Sequence, residues 1–161
     1  MKKAIVHPIP PVFDENSRIL ILGSFPSVRS RETGFFYGHP RNRFWKVVSS
    51  LFGESTPQTN EEKRSLLLRR GVALWDVLHS CEIEGSSDAS IGNAVPNDLS
   101  VILGAADIKA IFTNGGAAYK YYVKYALTAT GREAIPLPST SPANASWTDE
   151  KLLEEWTRIL I

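Results

Sequence analysis

The stretch that decides the fold is residues 19–52, ILILGSFPSVRSRETGFFYGHPRNRFWKVVSSLF. It opens with a short apolar run, 19–22, which is typical of a buried strand and breaks at Gly23. A polar loop of about 20 residues follows, longer than most loops in a compact domain, and this length indicates a working loop. The chain then enters an amphipathic helix, expected from about 42 to 52. A strand that leads through such a loop into a helix is how open α/β sheets build a ligand crevice.

The rest of the chain alternates strand-like and helix-like segments, which predicts a parallel α/β sheet. Its strands are expected at 18–23, 72–75, 108–113 and 134–137. Thr59 and Glu62 have the spacing of a capping box, and Thr148 is expected to cap the last helix. We expect one domain, residues 1–161, without repeats or linkers.

Two segments are expected to lack regular structure. Residues 1–17 are rich in proline and should wrap the surface without strand pairing. Residues 79–96 are polar and rich in glycine and serine, and should form a mobile loop. Asn97 should then cap a short helix that ends at Gly104.

Bulk composition is that of an ordinary globular protein. Of the 161 residues, 43% are hydrophobic and 22% are charged, and no apolar run approaches the roughly 18 residues that a membrane span needs. A single cysteine, Cys81, excludes an internal disulfide framework and a four-cysteine iron–sulfur cluster. The three histidines lack metal-ligand spacing, so no metal site is expected. No signal-peptide pattern is found, which predicts an intracellular, cytoplasmic protein.

Charge is unevenly distributed, although the net charge is only +1. Residues 29–46 carry five Lys or Arg against one acid, Glu32, and the balancing acids lie elsewhere. Such a basic loop fits an enzyme that touches a few phosphates. A solvated charged loop would have the same composition.

The run 34–48, GFFYGHPRNRFWKVV, resembles the loop-to-helix segment of mismatch-specific uracil-DNA glycosylases. In that family a G-I-N-P-G motif precedes a G-F-P-F-A-H-P-A-N-R-F-W segment, at the spacing that separates Gly23 from Gly34 here. Weaker similarities extend over most of the chain. GVALWDVL, 71–78, resembles the second strand of the uracil-DNA glycosylase superfamily, and PLPSTSPANA, 136–145, stands where the superfamily has its second active-site motif. Phe25 replaces the relatives' water-activating Asp or Asn, which resembles the hypoxanthine-DNA (deoxyinosine) glycosylase branch.

This resemblance implies a three-layer α/β/α sandwich with a central four-stranded parallel sheet. It also implies a DNA glycosylase, which flips a damaged nucleotide out of the stack and hydrolyses its N-glycosidic bond without a cofactor. In the deoxyinosine branch the asparagine of this segment is catalytic, so the resemblance assigns the positioning of water to Asn42. The alternative role for Asn42 is a helix N-cap, a position that asparagine favours.

Tyr37, His39 and Asp76 are the other candidates for contact with the base. Tyr37 occupies the position of the relatives' base-stacking Phe, or else covers the core as a lid. His39 either donates a proton or braces the loop. Asp76 stands where the superfamily places a base-reading Asn, and a carboxylate there would accept from N1–H of hypoxanthine or N3–H of uracil. Its alternative role is also a helix N-cap.

Further loop residues are expected to hold the substrate or the DNA. Gly23 and the amides after it, including those of Ser24 and Phe25, would cradle a phosphate or a base oxygen. By resemblance, the second loop enters the minor groove and fills the gap left by the flipped nucleotide, with Ser139 in place of the relatives' Asn or His. The expected DNA contacts are Ser27, Arg41, Arg43, Ser139, Ser141, Pro142 and Asn144.

The sequence therefore predicts a monofunctional DNA glycosylase of base excision repair that removes a deaminated base. Hypoxanthine is the expected substrate, with uracil or xanthine as further candidates, and DNA containing such a base is the expected partner of a monomeric protein. One alternative is a mismatch-specific uracil-DNA glycosylase. Another is a non-catalytic nucleic-acid-binding relative, which the substitution at Phe25 would allow.

Overall fold

A computed structural model describes residues 2–161. The strands are β1 (Lys3–Val6), β2 (Ile19–Gly23), β3 (Val72–Asp76), β4 (Leu78–Ile83), β5 (Gly92–Pro96), β6 (Ala110–Asn114) and β7 (Ile135–Leu137). The helices are α1 (Val28–Thr33), α2 (Phe44–Leu51), α3 (Asn60–Arg69), α4 (Ser100–Leu103), α5 (Gly116–Tyr121), α6 (Leu127–Thr130) and α7 (Asp149–Trp156). A π-helical turn, Tyr122–Ala126, joins α5 to α6.

The central sheet has four parallel strands in the order β3-β2-β6-β7. Every residue of β2 and β3 is buried, because both faces of these strands are covered. The predicted α/β fold with a central four-stranded parallel sheet is therefore confirmed. Strand β2 lies between β3 and β6, so the chain turns first to one side of β2 and later to the other. The carboxyl ends of β2 and β6 form the switch point at which such sheets bind ligands.

A second sheet, with the antiparallel order β1-β4-β5, corrects two expectations. Residues 1–17 were expected to be unpaired, but β1 pairs with β4 before the first proline, and Val12 exchanges two backbone hydrogen bonds with Leu74. Residues 79–96 were expected to form a mobile loop, but they form most of the hairpin β4–β5. The polar composition of this segment is compatible with strands, because in β4 Cys81 and Ile83 supply the buried face while their neighbours are more exposed.

Local capping signals were confirmed at two of the three positions. Thr59 and Glu62 form a capping box at the start of α3, and the Thr148 side chain caps α7. Asn97 does not cap α4. The Asp98 carboxylate accepts from the amide of Ser100 in its place, and the buried Asn97 side chain donates to the backbone around Asp76.

The long loop after β2 also contains a helix that the sequence did not predict. The Ser27 side chain caps this helix, α1, by accepting from the amide of Ser30, and Gly34 ends it in the left-handed conformation. Among residues 2–161 there is no helix with the length and apolar character that crossing a bilayer requires.

Candidate active site

A pocket of about 180 Å³ opens at the carboxyl edge of the parallel sheet. Each strand supplies a residue at or just after its end: Gly23 from β2, Asp76 from β3, Asn114 from β6 and Ser139 after β7. The rest of the lining comes from the two loops and from the β4–β5 hairpin, and includes Phe25, Tyr37, His39, Asn42, Ser86 and Asp88. The structure therefore brings the two loops of the sequence analysis together around one cavity.

Asp76 is held in the deep wall of this pocket by His7. The amide of Ile9 donates to His7 Nδ1, 3.2 Å away, so the ring proton lies on Nε2. Nε2 donates to Asp76 Oδ2 over 2.7 Å, and the two side chains are only 2% and 5% exposed. The imidazole ring is enclosed by the rings of Phe25 and Trp75. This packing fixes the direction of the carboxylate. Asp76 is not the helix cap that was its alternative role, because β3 is followed after Val77 by strand β4 and not by a helix.

Gly23 lets the Asp76 carboxylate lie directly against β2. The two residues are paired in the register of the sheet, and a Cβ at position 23 would stand 2.3 Å from Asp76 Oδ1 and 3.0 Å from the Tyr37 hydroxyl. Since real Cβ atoms do not approach an oxygen at 2.3 Å, any side chain here would displace the carboxylate. The absence of a side chain at Gly23 thus allows this close approach.

Tyr37 shows signs of both roles considered for it. Its ring stacks on Phe44 with centroids 4.2 Å apart, as a core lid would, yet the residue is only half-buried and lines the pocket. Its φ of +52° is rare for a bulky residue and costs about 1–3 kcal/mol, which is typical of functional sites. The hydroxyl is buried and lies near the side chain of Asn114. Burial and the negative charge of Asp76 raise the pKa of Tyr37, and a hydrogen bond with the side chain of Asn114 lowers it.

Asn42 bonds to the first residue of α2 and also faces the pocket. Its Oδ1 accepts from the amide of Phe44 at 3.0 Å and from the hydroxyl of Thr140 at 2.8 Å. A backbone N–H can only donate, so the oxygen must face these partners, and both of its lone pairs are used. The Nδ2 group has no partner in the described part of the chain. The N-cap of α2 is Arg43 and not Asn42, and the contact of Asn42 with the start of the helix leaves its Nδ2 for the pocket.

His39 also contributes to loop geometry through one atom. The amide of Arg41 donates to His39 Nδ1 over 3.1 Å, which leaves the proton on Nε2. Within residues 2–161, Nε2 makes no hydrogen bond, so the bracing role and a donor role are compatible. Arg41 itself is exposed, and its guanidinium has no partner among the described residues.

Arg43 differs from the expectation of a phosphate contact, because its guanidinium is committed within the chain. It donates to the carbonyls of Asn144 and Trp147 and pairs with Asp149, and its side chain is 18% exposed. Its own amide donates to the carbonyl of Thr140. Arg43 therefore clamps the second loop onto the first.

The second loop is ordered by its own polar groups. Ser139 Oγ accepts from the amide of Ser141, and the Asn144 side chain donates to the carbonyl of Ser139. Asn114 exchanges two hydrogen bonds with Thr140, which in turn bonds to Asn42. Pro142 is exposed at the rim of the pocket.

The segment after β2 supplies an apolar wall and a hydroxyl. Phe25 is 8% exposed and stands edge-on to the ring of His7. Because its side chain is a hydrocarbon, it offers no hydrogen-bond acceptor to a water molecule. Ser24 donates to Asp88 Oδ1 at 2.7 Å. Ser27 also lines the pocket, although its oxygen accepts from the amide of Ser30 as the cap of α1.

Sequence reasoning missed His7, Asp88, Asn114 and Thr140. Asn114 follows an apolar run and stands at a predicted strand end, which is a usable signal for a pocket residue. Thr140 lies inside the second motif but was passed over in favour of its neighbours. His7 and Asp88 lie in segments that were expected to be irregular, and no local pattern places them at the pocket.

Known proteins are similar to this chain over most of its length. The model of the uracil DNA glycosylase superfamily matches residues 10–160. A hypoxanthine DNA glycosylase from Methanosarcina barkeri is 38% identical over 137 residues, which cover 84% of this chain and 85% of the relative. A hypoxanthine DNA glycosylase from Methanosarcina acetivorans is 36% identical over 152 residues, covering 93% and 94%.

A solved structure is similar over nearly the whole chain. It is the solution NMR structure of a candidate uracil DNA glycosylase from Methanosarcina acetivorans, with a TM-score of 0.79 and 32% sequence identity. The match covers 98% of this chain and 100% of the solved one. The fold is thus that of a known group of proteins.

Proposed function

This chain belongs to the uracil DNA glycosylase superfamily and is a DNA glycosylase, and we propose that it releases hypoxanthine from DNA and leaves an abasic site. The choice of hypoxanthine over uracil rests on the two similar hypoxanthine DNA glycosylases, and the observation that carries the choice of a deaminated base is Asp76, a buried carboxylate at the pocket whose orientation is fixed by His7. Uracil and xanthine are further substrates on this proposal. The protein would act as a monofunctional enzyme and as a monomer, with DNA containing a deaminated base as its partner.

Asp76 is proposed to read the edge of the flipped base. Oδ2 is taken by His7, and Oδ1 lies against Gly23, beside the Tyr37 hydroxyl. A carboxylate oxygen accepts from N1–H of hypoxanthine or N3–H of uracil. It repels adenine or cytosine, whose ring nitrogen carries a lone pair at that edge. With either of these bases the buried Asp76 carboxylate would also lack a donor, and a polar site rejects an analogue in this way.

Tyr37 is proposed to stack on the base. Phe44 supports the tyrosine ring from one side, which makes it a rigid platform. Stacking on an aromatic side chain contributes roughly 1–3 kcal/mol per base and offsets part of the cost of flipping.

Asn42 is proposed to hold the attacking water through its Nδ2 group. Because Oδ1 accepts from Phe44 and Thr140, the amide can offer the pocket a donor but no acceptor. A donor can fix the water oxygen in place, and such positioning can lower a barrier by several kcal/mol. Removal of the water's proton then requires another group.

Arg41 and the second loop are proposed to hold the DNA. Arg41 is exposed beside the pocket, and its guanidinium has no partner within residues 2–161, so it can bind a phosphate. Ser139, Ser141 and Pro142 line the opposite rim and would enter the minor groove next to the flipped nucleotide.

The test is single-turnover release of base from otherwise identical duplexes that carry one hypoxanthine, uracil, xanthine or undamaged base. Hypoxanthine should be released fastest, and Asn42→Asp should lower that rate at least about tenfold, which equals about 1.4 kcal/mol. This variant keeps an oxygen for the amide of Phe44 and replaces the Nδ2 donor with a charged carboxylate oxygen, so its Tm should change little, and the rate is compared at saturating enzyme. Asn16→Asp, at an exposed asparagine before β2, is the matched control.

Other results would point elsewhere. Release of uracil well above hypoxanthine would indicate a mismatch-specific uracil enzyme. DNA binding without release of any base would indicate a binding protein and contradict the proposal. An Asn42→Asp variant with the wild-type rate would leave Asn42 with only a structural contact at the start of α2.

A further inference from the structure

Asp88 brings a second carboxylate to the pocket, from outside both family-like loops. It lies at the tip of the β4–β5 hairpin, in the short turn Asp88–Ser90, and lines the cavity with Ser86. Asp88 Oδ1 accepts from the hydroxyl of Ser24 at 2.7 Å. Within residues 2–161, Oδ2 has no hydrogen-bond partner.

The hairpin tip is anchored, so this carboxylate has a defined position. The amide of Val28 donates to Ser86 Oγ at 2.9 Å, and Arg31 donates to the carbonyl of Gly85 at 3.1 Å. These bonds join the tip to α1. With the Ser24 contact, they hold the tip against the chain that leaves β2.

Hydrolysis needs an acceptor for the proton of the attacking water, and the other pocket groups do not supply one. Asn42 Oδ1 is saturated by two donors. Phe25 has no polar side-chain atom. Asp76 is bound to His7 and, on the proposed function, to the base. Asp88 Oδ2 is the remaining carboxylate oxygen that lines the pocket without a partner in the described part of the chain.

We propose that Asp88 is the general base that accepts the proton of the attacking water. This inference rests on the proposed function. The water oxygen forms a bond to C1′ of the deoxyribose, and the C1′–N9 bond breaks with its electron pair leaving on hypoxanthine. One proton of the water passes to Asp88 Oδ2, and the departing base anion takes a proton from solvent. Ser24 orients the carboxylate, and Asn42 holds the water oxygen.

The electrostatic surroundings of Asp88 suit this role. Partial desolvation and the negative charge of Asp76 raise the pKa of Asp88, while the hydrogen bond from Ser24 opposes the rise. A general base is most effective when its pKa approaches the working pH. The ionisable groups around it are Asp76 from β3, Tyr37 from the first loop, Cys81 from β4, Tyr121 from α5 and, near Cys81, Arg31 from α1.

The sign of the pH dependence follows from the protonation state that the reaction needs. Asp88 accepts a proton only when ionised, so the rate of release should rise with pH as this carboxyl loses its proton. Its raised pKa moves the rise to higher pH than an ordinary aspartate would give.

The experiment compares the wild-type protein with Asp88→Asn in single-turnover release of hypoxanthine across pH, with DNA affinity and Tm measured in parallel. The asparagine keeps an oxygen for Ser24 and replaces the free oxygen with a donor. We expect at least a tenfold lower rate at saturating enzyme, loss of the rise with pH, and unchanged affinity and Tm. Asp107→Asn is the control, since it removes an exposed carboxylate just before β6, at the opposite edge of the sheet.

Two results would overturn the inference while leaving the proposed function intact. One is an Asp88→Asn variant with the wild-type rate and pH profile. The other is a variant whose DNA affinity falls while its rate at saturation is unchanged, because Asp88 would then act in binding. Failure of the wild-type protein to release hypoxanthine would overturn the proposed function, and this inference with it.

Discussion

The pocket has one aspartate in its deep wall, at the end of β3, and another at the tip of the β4–β5 hairpin, and the two differ in burial and in what holds them. Asp76 ends a strand of the parallel sheet, is 5% exposed and is held by His7. Asp88 lies on the β4–β5 hairpin, is exposed as a residue, and is held by one serine hydroxyl. The register of β2 with β3 fixes the first, whereas contacts between a hairpin tip and α1 fix the second.

This difference shows how one residue type can serve two tasks in one cavity. A carboxylate with a fixed direction and little water around it is suited to recognition, because an unmatched base edge leaves it unpaired. A carboxylate at the rim can reach water and exchange its proton. Two acids whose surroundings differ are a common basis for dividing roles in an active site. On our proposals, Asp76 reads the base and Asp88 activates the water.

The largest expected effect comes from disturbing the deep wall itself. Gly23→Ala would place a Cβ 2.3 Å from Asp76 Oδ1 and displace the carboxylate. We expect the single-turnover rate on hypoxanthine to fall at least about a hundredfold, or about 2.7 kcal/mol. Gly116→Ala is the control, because a Cβ there meets nothing within 4 Å. Near wild-type activity in Gly23→Ala would show that the close approach of Asp76 to β2 is dispensable.

The two arginines of the first loop should separate structure from DNA binding, with smaller effects. Arg43→Ala removes the clamp on the second loop, so we expect a lower Tm, a free energy of unfolding lower by about 1–3 kcal/mol, and an unchanged salt dependence of DNA binding.

Arg41→Ala should leave Tm unchanged and weaken binding to all DNA sequences, with the salt slope reduced by about one unit. Thermal unfolding and titrations at several salt concentrations measure both. The reverse pattern would assign the phosphate contact to Arg43.

Much of the fold could be predicted because its signals are local. The apolar runs of β2, β3 and β6 read as buried parallel strands, and Gly23 and Asp76 at their ends could be placed at one edge of a sheet. Thr59 and Thr148 marked helix starts by their own chemistry. For Asn42 the sequence offered water positioning and a helix cap as alternatives, and only the structure shows that Oδ1 bonds to the start of α2 while Nδ2 is left for the pocket.

The rest of the site depends on contacts between distant segments. His7 meets Asp76 across 69 residues, and Asp88 meets Ser24 across 64. Strand β1 is short and lies before a proline-rich run, and the hairpin is polar on its exposed face, so both segments were expected to be irregular. Nothing in the neighbourhood of His7 or Asp88 shows that either lies beside a strand end of another sheet. The commitment of Arg43 to the second loop is hidden for the same reason.

The most direct test of the central claim, that Asp76 held by His7 reads the base, is the ratio of hypoxanthine to adenine release by Asp76→Asn. His7 Nε2 can only donate in its present tautomer, so it will take the amide oxygen and turn the NH₂ group toward the pocket. That group repels N1–H of hypoxanthine and suits the N1 lone pair of adenine.

Single-turnover rates on matched duplexes, with Tm and DNA affinity measured in parallel, decide the question. We predict that hypoxanthine release falls at least about tenfold while adenine release does not fall, so that the ratio narrows by at least that factor. An unchanged ratio, with either both rates preserved or both lowered equally, would contradict the assignment of base reading to Asp76.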